Sequence, residues 1–105
     1  MTVQTQAVLH AFLADPTAEL YGLEIADRTH LMPGTTYPIL VRLLTAGWIT
    51  DRWEDVDPRE EERPRRRYFK LTEEGADKAR EALRTAASKG FVQSLAQGRL
   101  ANGLG

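Results

Sequence analysis

Only two stretches of this chain alternate with the two-residue period of a strand, and both sit between segments of helical period, which constrains the fold more than any other feature. Trp48–Glu54 sets Ile49, Asp51 and Trp53 against Thr50, Arg52 and Glu54; Arg66–Leu71 sets Arg67, Phe69 and Leu71 against Arg66, Tyr68 and Lys70. The two should pair as a hairpin. Between them Asp55–Arg65, charged and twice interrupted by proline, is too long for a tight turn and reads as a mobile tip.

Three helices should precede the hairpin. Thr5–Ala14 carries Val8, Leu9, Phe12 and Leu13 as one stripe and stops at Asp15-Pro16. Leu20–Thr29 follows, with Gly22 near its start allowing another backbone to approach. After a short connection around His30–Met32, Pro33 suits a first helical position, and the third helix runs to Ala46 with Gly47 behind it. Pro38 inside that helix removes a backbone bond, so the helix either bends in its second turn or becomes regular nearer Thr35. Two apolar stripes compete on it, Thr36-Leu40-Leu43-Gly47 and Tyr37-Leu40-Val41-Leu44. Behind the hairpin Thr72 caps a fourth helix, with Glu73 and Glu74 in the turn where the dipole favours acid. Its seam is small: Ala76, Ala79, Leu83, Ala86, Ala87 and Gly90 recur at three- and four-residue spacing, and Phe91, Val92, Leu95 and Leu100 continue it. Gly98, Gly103 and Gly105 point to a frayed end.

At 105 residues, 42% hydrophobic and 28% charged, the chain has the size and composition of one globular domain. No apolar run is long enough to span a bilayer and the first residues do not read as a signal peptide, so a cytoplasmic protein without membrane contact is expected. With no cysteine and two histidines, disulfides, thiolate zinc and histidine-rich metal sites are excluded, and neither cofactor nor metal is expected. Glu60-Glu61-Glu62 is a carboxylate run without a paired acid–base site, and no phosphate-cradling glycine loop occurs, so an enzyme is not expected. The net charge of -1 exerts no global pull on nucleic acid; any such binding needs a local patch.

Three helices, a hairpin and a long helix follow the order of a mainly α winged helix-turn-helix domain with a two-stranded β-wing and a C-terminal dimerisation helix. Three segments resemble the PadR family of transcriptional regulators: Tyr21-Gly22-Leu23-Glu24-Ile25-Ala26; Gly34-Thr35-Thr36-Tyr37-Pro38-Ile39-Leu40 through Arg42-Leu43 to Gly47-Trp48-Ile49; and Arg66 through Gly75, similar to that family's R-R-Y-Y-R-L-T-x-x-G strand. Thr36 stands where the family pattern has an apolar residue, and Asp57–Arg65 where it has a short glycine-containing tip. The resemblance implies a DNA-binding unit over residues 1–72 and a C-terminal helix over 73–105 as the dimerisation element of the same domain.

DNA reading by such a unit needs a helix N-terminus that can enter the major groove, flanked by groups for phosphates. Gly34, Thr35, Thr36 and Tyr37 supply backbone N–H groups, hydroxyls and a phenol; capping and core packing are the competing roles. The resemblance moves Thr35, Tyr37 and Pro38 to the DNA face, with Arg42 a turn further on. Residues 51–70 hold seven basic and seven acidic groups, yet Arg63–Lys70 is purely basic. Arg65, Arg66 and Arg67 are therefore expected on phosphates, with Tyr68 beside Arg66, against the alternative of a salt-bridged hairpin. The seam of Ala76, Ala79, Leu83, Ala86, Ala87, Gly90 and Phe91 is read as the contact of a homodimer, in preference to packing within the chain, because pairing couples two half-sites. Phe91 and Leu95 serve there as dimer core or, as in some members of the family, line a site for a small aromatic effector. The expected function is a duplex-DNA-binding regulator, a repressor; the rival is a winged-helix protein-interaction module.

Overall fold

Val8, Leu9 and Phe12 recur at helical spacing, and burying them fixes how α1 (Val3–Leu13) meets the rest of the chain. The computed structural model describes residues 1–104, leaving out the side chains of 91–94 and 96–104. After α1 come β1 (Leu20–Tyr21), α2 (Gly22–Thr29), α3 (Pro33–Thr45), β2 (Ile49–Trp53), a single turn α4 (Pro58–Glu61), β3 (Arg67–Leu71) and α5 (Glu73–Leu104). One core joins all of them but α4: Val8, Leu9 and Phe12 of α1, Ile25 of α2, Ile39, Leu40 and Leu43 of α3, the strand residues Leu20, Ile49, Phe69 and Leu71, and Ala76 and Ala79 of α5.

The sheet has three antiparallel strands in the order β1-β3-β2, not the two expected. Leu20 and Tyr21 pair with Phe69 and Tyr68, so the second helix begins at Gly22 and not Leu20. A two-residue strand shows no period of its own, and Leu20, buried from either position, looked like the first apolar residue of the helix. Gly22 faces open space and no backbone approaches it. The approach occurs instead at Gly75, where a Cβ would lie 1.8 Å from the Trp48 carbonyl oxygen.

That contact fixes the entry to α5. Thr72 donates its N–H to the Trp48 carbonyl (2.9 Å) and its hydroxyl to the Gly47 carbonyl (2.9 Å), while its Oγ1 accepts the Gly75 N–H (2.9 Å). Gly47 makes the turn between α3 and β2 at φ 77°, a conformation that costs glycine little.

Of the two stripes on α3, the first is inward through Thr36, Leu40 and Leu43, with Ile39 buried beside them, although its last member Gly47 is exposed; of the second, Tyr37 and Val41 are exposed and Leu44 is half-buried. The helix continues through Pro38 because that ring is on the solvent face, where the Gly34 carbonyl that loses its partner can be hydrated. The tip between β2 and β3 is not a featureless loop. Asp57 accepts the Arg59 N–H (2.9 Å) to cap α4, Pro58 occupies its first position, and Glu62 ends it in the left-handed region at φ 55°.

Candidate nucleic-acid interface

The α2–α3 connection is a tight turn built from local bonds. Thr29 donates its hydroxyl to the Ile25 carbonyl (2.7 Å), His30 adopts φ 58°, and Leu31 N–H reaches the Ala26 carbonyl (3.2 Å). Met32 then enters α3 without a side-chain cap, and the first turn of α3 carries no acid, so the positive end of its dipole is left unneutralised. Gly34, Thr35, Tyr37, Pro38 and Arg42 are all exposed on the outer face of this helix. Thr36 is not: it is 1% exposed and its hydroxyl donates to the Met32 carbonyl (3.1 Å). Its expected place among DNA contacts is corrected. Satisfying the hydroxyl on the preceding turn lets a polar residue occupy a core position.

The hairpin register, Ile49↔Leu71 through Asp51↔Phe69 to Trp53↔Arg67, explains how the wing faces this helix. The sheet face that begins in the core with Ile49, Leu71 and Phe69 continues outward as Asp51, Trp53 and Arg67 and overhangs α3. Beneath the overhang lies a cleft of about 550 Å³ lined by Tyr21, Gly22, Leu23 and Pro33, by Tyr37 and Trp53, and by Arg63 through Arg67. No carboxylate is among its lining residues, and Leu23, Tyr37 and Trp53 expose apolar surface to it.

The arginines of the wing divide into those paired with a carboxylate and those without one among the described residues. Arg63 donates through both terminal nitrogens to Glu54 (2.7 and 3.1 Å). Glu54 also accepts the Arg66 N–H (3.2 Å), closing the base of the tip. The Arg63 hydrogen bonds, opposed by burial and aided by the Arg66 N–H, hold the Glu54 carboxyl at about 2, below its ordinary 4.5. Arg52 pairs with Glu19 on the opposite face. Arg67 donates from Nε to Asp51 (2.7 Å) and from Nη1 to the Tyr37 hydroxyl (2.6 Å). Of the three arginines expected on phosphates, Arg67 is thus the one that already carries a carboxylate partner. Arg65 donates Nε to the Val56 carbonyl (2.8 Å), and the Arg66 guanidinium lies 4.3 Å above the Tyr21 ring. Among the described residues neither has a carboxylate within 4.0 Å.

Tyr68 is half-buried on the outer face with Arg66, as the alternation requires. There it meets Tyr21 edge-on at 5.9 Å and lies under the Arg52 guanidinium at 4.9 Å, a packed stack that orders the strand from which Arg66 projects.

The seam of α5 is split. Ala79 is 0% exposed and Ala76 is also buried, both inside this chain, and Leu83 packs against the same core. The expected place of Ala76 and Ala79 in a dimer contact is corrected, because they pack within the chain where α5 meets α1; Leu83 is only half-buried. Further along, Ala86 is half-buried, Ala87 and Gly90 are exposed, and Leu95 is 52% exposed. The Phe91 side chain lies outside the described residues. No helix of the described residues is long and apolar enough to cross a membrane, and no cluster of metal-ligating side chains occurs among them.

The family model of the PadR-like transcriptional regulators matches residues 9–81. No curated protein matches the sequence. Among solved structures the chain is similar to MepR, a transcription regulator of the Staphylococcus aureus multidrug efflux pump MepA (TM-score 0.63, 22% identity, covering 92% of this chain and 65% of MepR). The chain thus spans just under two thirds of that regulator's length. It is similar also to a PadR-like regulator of Bacillus cereus (TM-score 0.62, 22% identity, covering 93% of this chain and 91% of the other). A third likeness is to the Streptomyces coelicolor regulator PcaV, solved with its natural ligand (TM-score 0.66, 24% identity, covering 90% of this chain and 62% of PcaV).

Proposed function

Because the chain belongs to the PadR-like family of transcriptional regulators, we propose that it acts in the cytoplasm as a homodimeric repressor, binding duplex DNA through α3 and the wing. The observation that carries this reading is the pairing of an uncapped, acid-free helix N-terminus with two arginines, Arg65 and Arg66, that have no carboxylate partner. Thr35 and Tyr37 reach base edges in the major groove, Gly34 lets the helix approach, and Pro38 and Arg42 flank the backbone of the duplex. Arg65 and Arg66 take phosphates, which fix register without carrying sequence. Residues 1–72 form the reading unit and residues 73–105 the pairing element. The pairing contact is assigned to Ala86, Ala87 and Gly90, which follow the part of α5 that packs on its own core, and to Phe91 next in sequence. A small aromatic effector held near Phe91 and Leu95 completes the reading; its support is that one fold neighbour is solved with a natural ligand.

The test is a gel shift of promoter fragments against excess competitor DNA, with wild type and the Thr35→Ala/Tyr37→Ala double variant. Specific retention by wild type is expected, with a loss of about 1–3 kcal/mol per base contact in the variant. Equal affinity for all fragments would leave a winged-helix protein-interaction module as the better description, its exposed acidic tip then facing a protein.

A further inference from the structure

One acid occupies the face that the proposed reading turns towards DNA. Asp51 is on the inner side of β2, opposite Phe69 and next to Arg67 of the cleft lining, where a lone carboxylate would repel phosphates. It is not alone. The Arg67 guanidinium sits on its Oδ2 through Nε and Nη2 (both 2.7 Å) and reaches across to α3, where Nη1 meets the Tyr37 oxygen at 2.6 Å. Three rings enclose the same guanidinium: Phe69 at 5.2 Å, Trp53 at 5.8 Å and Tyr37 at 5.9 Å. Arg67 and Tyr37 are 30 residues apart in sequence, and their bond ties the wing to the third helix outside the core.

The chemistry of the bond has a direction. A phenol oxygen that accepts from a guanidinium keeps its own proton free to donate, and the adjacent positive charge makes it a better donor. Arg67 can hold this position only while something fixes its other edge, and Asp51 does so. We propose that Asp51 is a positioning residue for DNA reading: through Arg67 it sets Tyr37 as a hydrogen-bond donor towards an acceptor on the duplex and locks α3 to the wing. This rests on the DNA-binding reading above and assigns the acid a part in it.

The proposal and simple electrostatics predict opposite signs for Asp51→Asn. Removing a negative charge from a DNA-facing surface by itself strengthens binding to every sequence. Loosening Arg67 instead weakens binding to the preferred sequence, because Tyr37 loses its setting. Dissociation constants are measured at one salt concentration for a preferred duplex selected from random DNA and for a scrambled duplex of equal length. In Asp51→Asn the preferred duplex should bind about tenfold more weakly, the size of one lost hydrogen bond to a charged group, while the scrambled duplex binds as well as before or better. A variant whose ratio of preferred to scrambled affinity matches wild type overturns the proposal, whichever way both constants move. Should the variant not fold, wild type alone decides by NMR: the Arg67 Nε proton should exchange more slowly than that of Arg42, and equal exchange overturns the brace. A wild type with no preferred duplex refutes DNA reading itself and takes the positioning role with it, a result distinct from retained discrimination in Asp51→Asn.

Discussion

Gly75→Ala should destabilise the fold although alanine is the better helix former. In an open helix the substitution gains about 0.8–1 kcal/mol, since glycine loses more backbone freedom on folding. At this position the new Cβ would stand 1.8 Å from the Trp48 oxygen, 2.5 Å from its carbonyl carbon and 2.6 Å from its Cα. All three are backbone atoms, so no side chain can rotate aside; α5 and the start of β2 must separate by more than an ångström. That motion stretches the bonds from Thr72 to the Gly47 and Trp48 carbonyls, and it pulls Ala76 and Ala79 from the core. Losing about two hydrogen bonds at roughly 1 kcal/mol each, with overpacking of about 1–3 kcal/mol, outweighs the helical gain and leaves a net loss of about 2–4 kcal/mol. For a domain of this size that lowers Tm by on the order of 10–20 °C. Gly22→Ala is the control, because nothing lies within 4 Å of its Cβ position. Thermal and urea unfolding of both variants are compared with wild type. A Gly75→Ala protein as stable as wild type would refute the close approach on which the placement of α5 depends.

Arg66→Gln should flatten the salt dependence of DNA binding by about 0.9 per protomer in log–log slope, whereas Arg67→Gln should leave the slope nearly unchanged because Asp51 already neutralises it; equal flattening by both contradicts the division. Glu54 is protonated more easily when unfolded than when folded, so the stability it lends is full above about 4.5 and lost as pH falls through about 2. Amide protection in the tip, taken as exchange relative to its intrinsic rate at each pH, should fall through that window in wild type and stay flat in Glu54→Gln; parallel curves argue against the Glu54–Arg63 pair. Leu95→Glu should shift sedimentation from dimer to monomer while leaving the unfolding of the monomer unchanged, since that side chain is 52% exposed within one chain. A folded variant that stays dimeric places the contact elsewhere.

The helices and the hairpin were legible because their periods differ and each repeats several times: four apolar residues mark α1, and the strand alternation correctly sets Asp51, Trp53 and Arg67 on one side. What escaped has little local signal. β1 is two residues long and exists only through its pairing with β3. Which stripe of α3 is inward depends on what packs against it, and the buried Thr36 became readable only with its Met32 acceptor in place. The capping of α4 could have been found, since Asp57-Pro58 carries both an N-cap and a first-position proline. Charge pattern alone located the basic strand but not its partners: Glu54, Asp51 and Glu19 are brought to Arg63, Arg67 and Arg52 by register and tertiary packing. The small seam of α5 was visible, but small residues suit a close contact with either a neighbouring helix or a second copy, and α1 takes the first part.

The central claim, that α3 and the wing of paired chains read duplex DNA, is tested most directly by selecting bound sequences from random duplex DNA. Two reading heads related by a twofold axis predict an enriched inverted repeat, with half-sites about one helical turn apart, 10–10.5 base pairs, or a multiple of it. Randomising Thr35 and Tyr37 should change the enriched bases, while Arg66→Gln should lower recovery without changing them. A pool that returns no sequence above its starting composition would contradict the account.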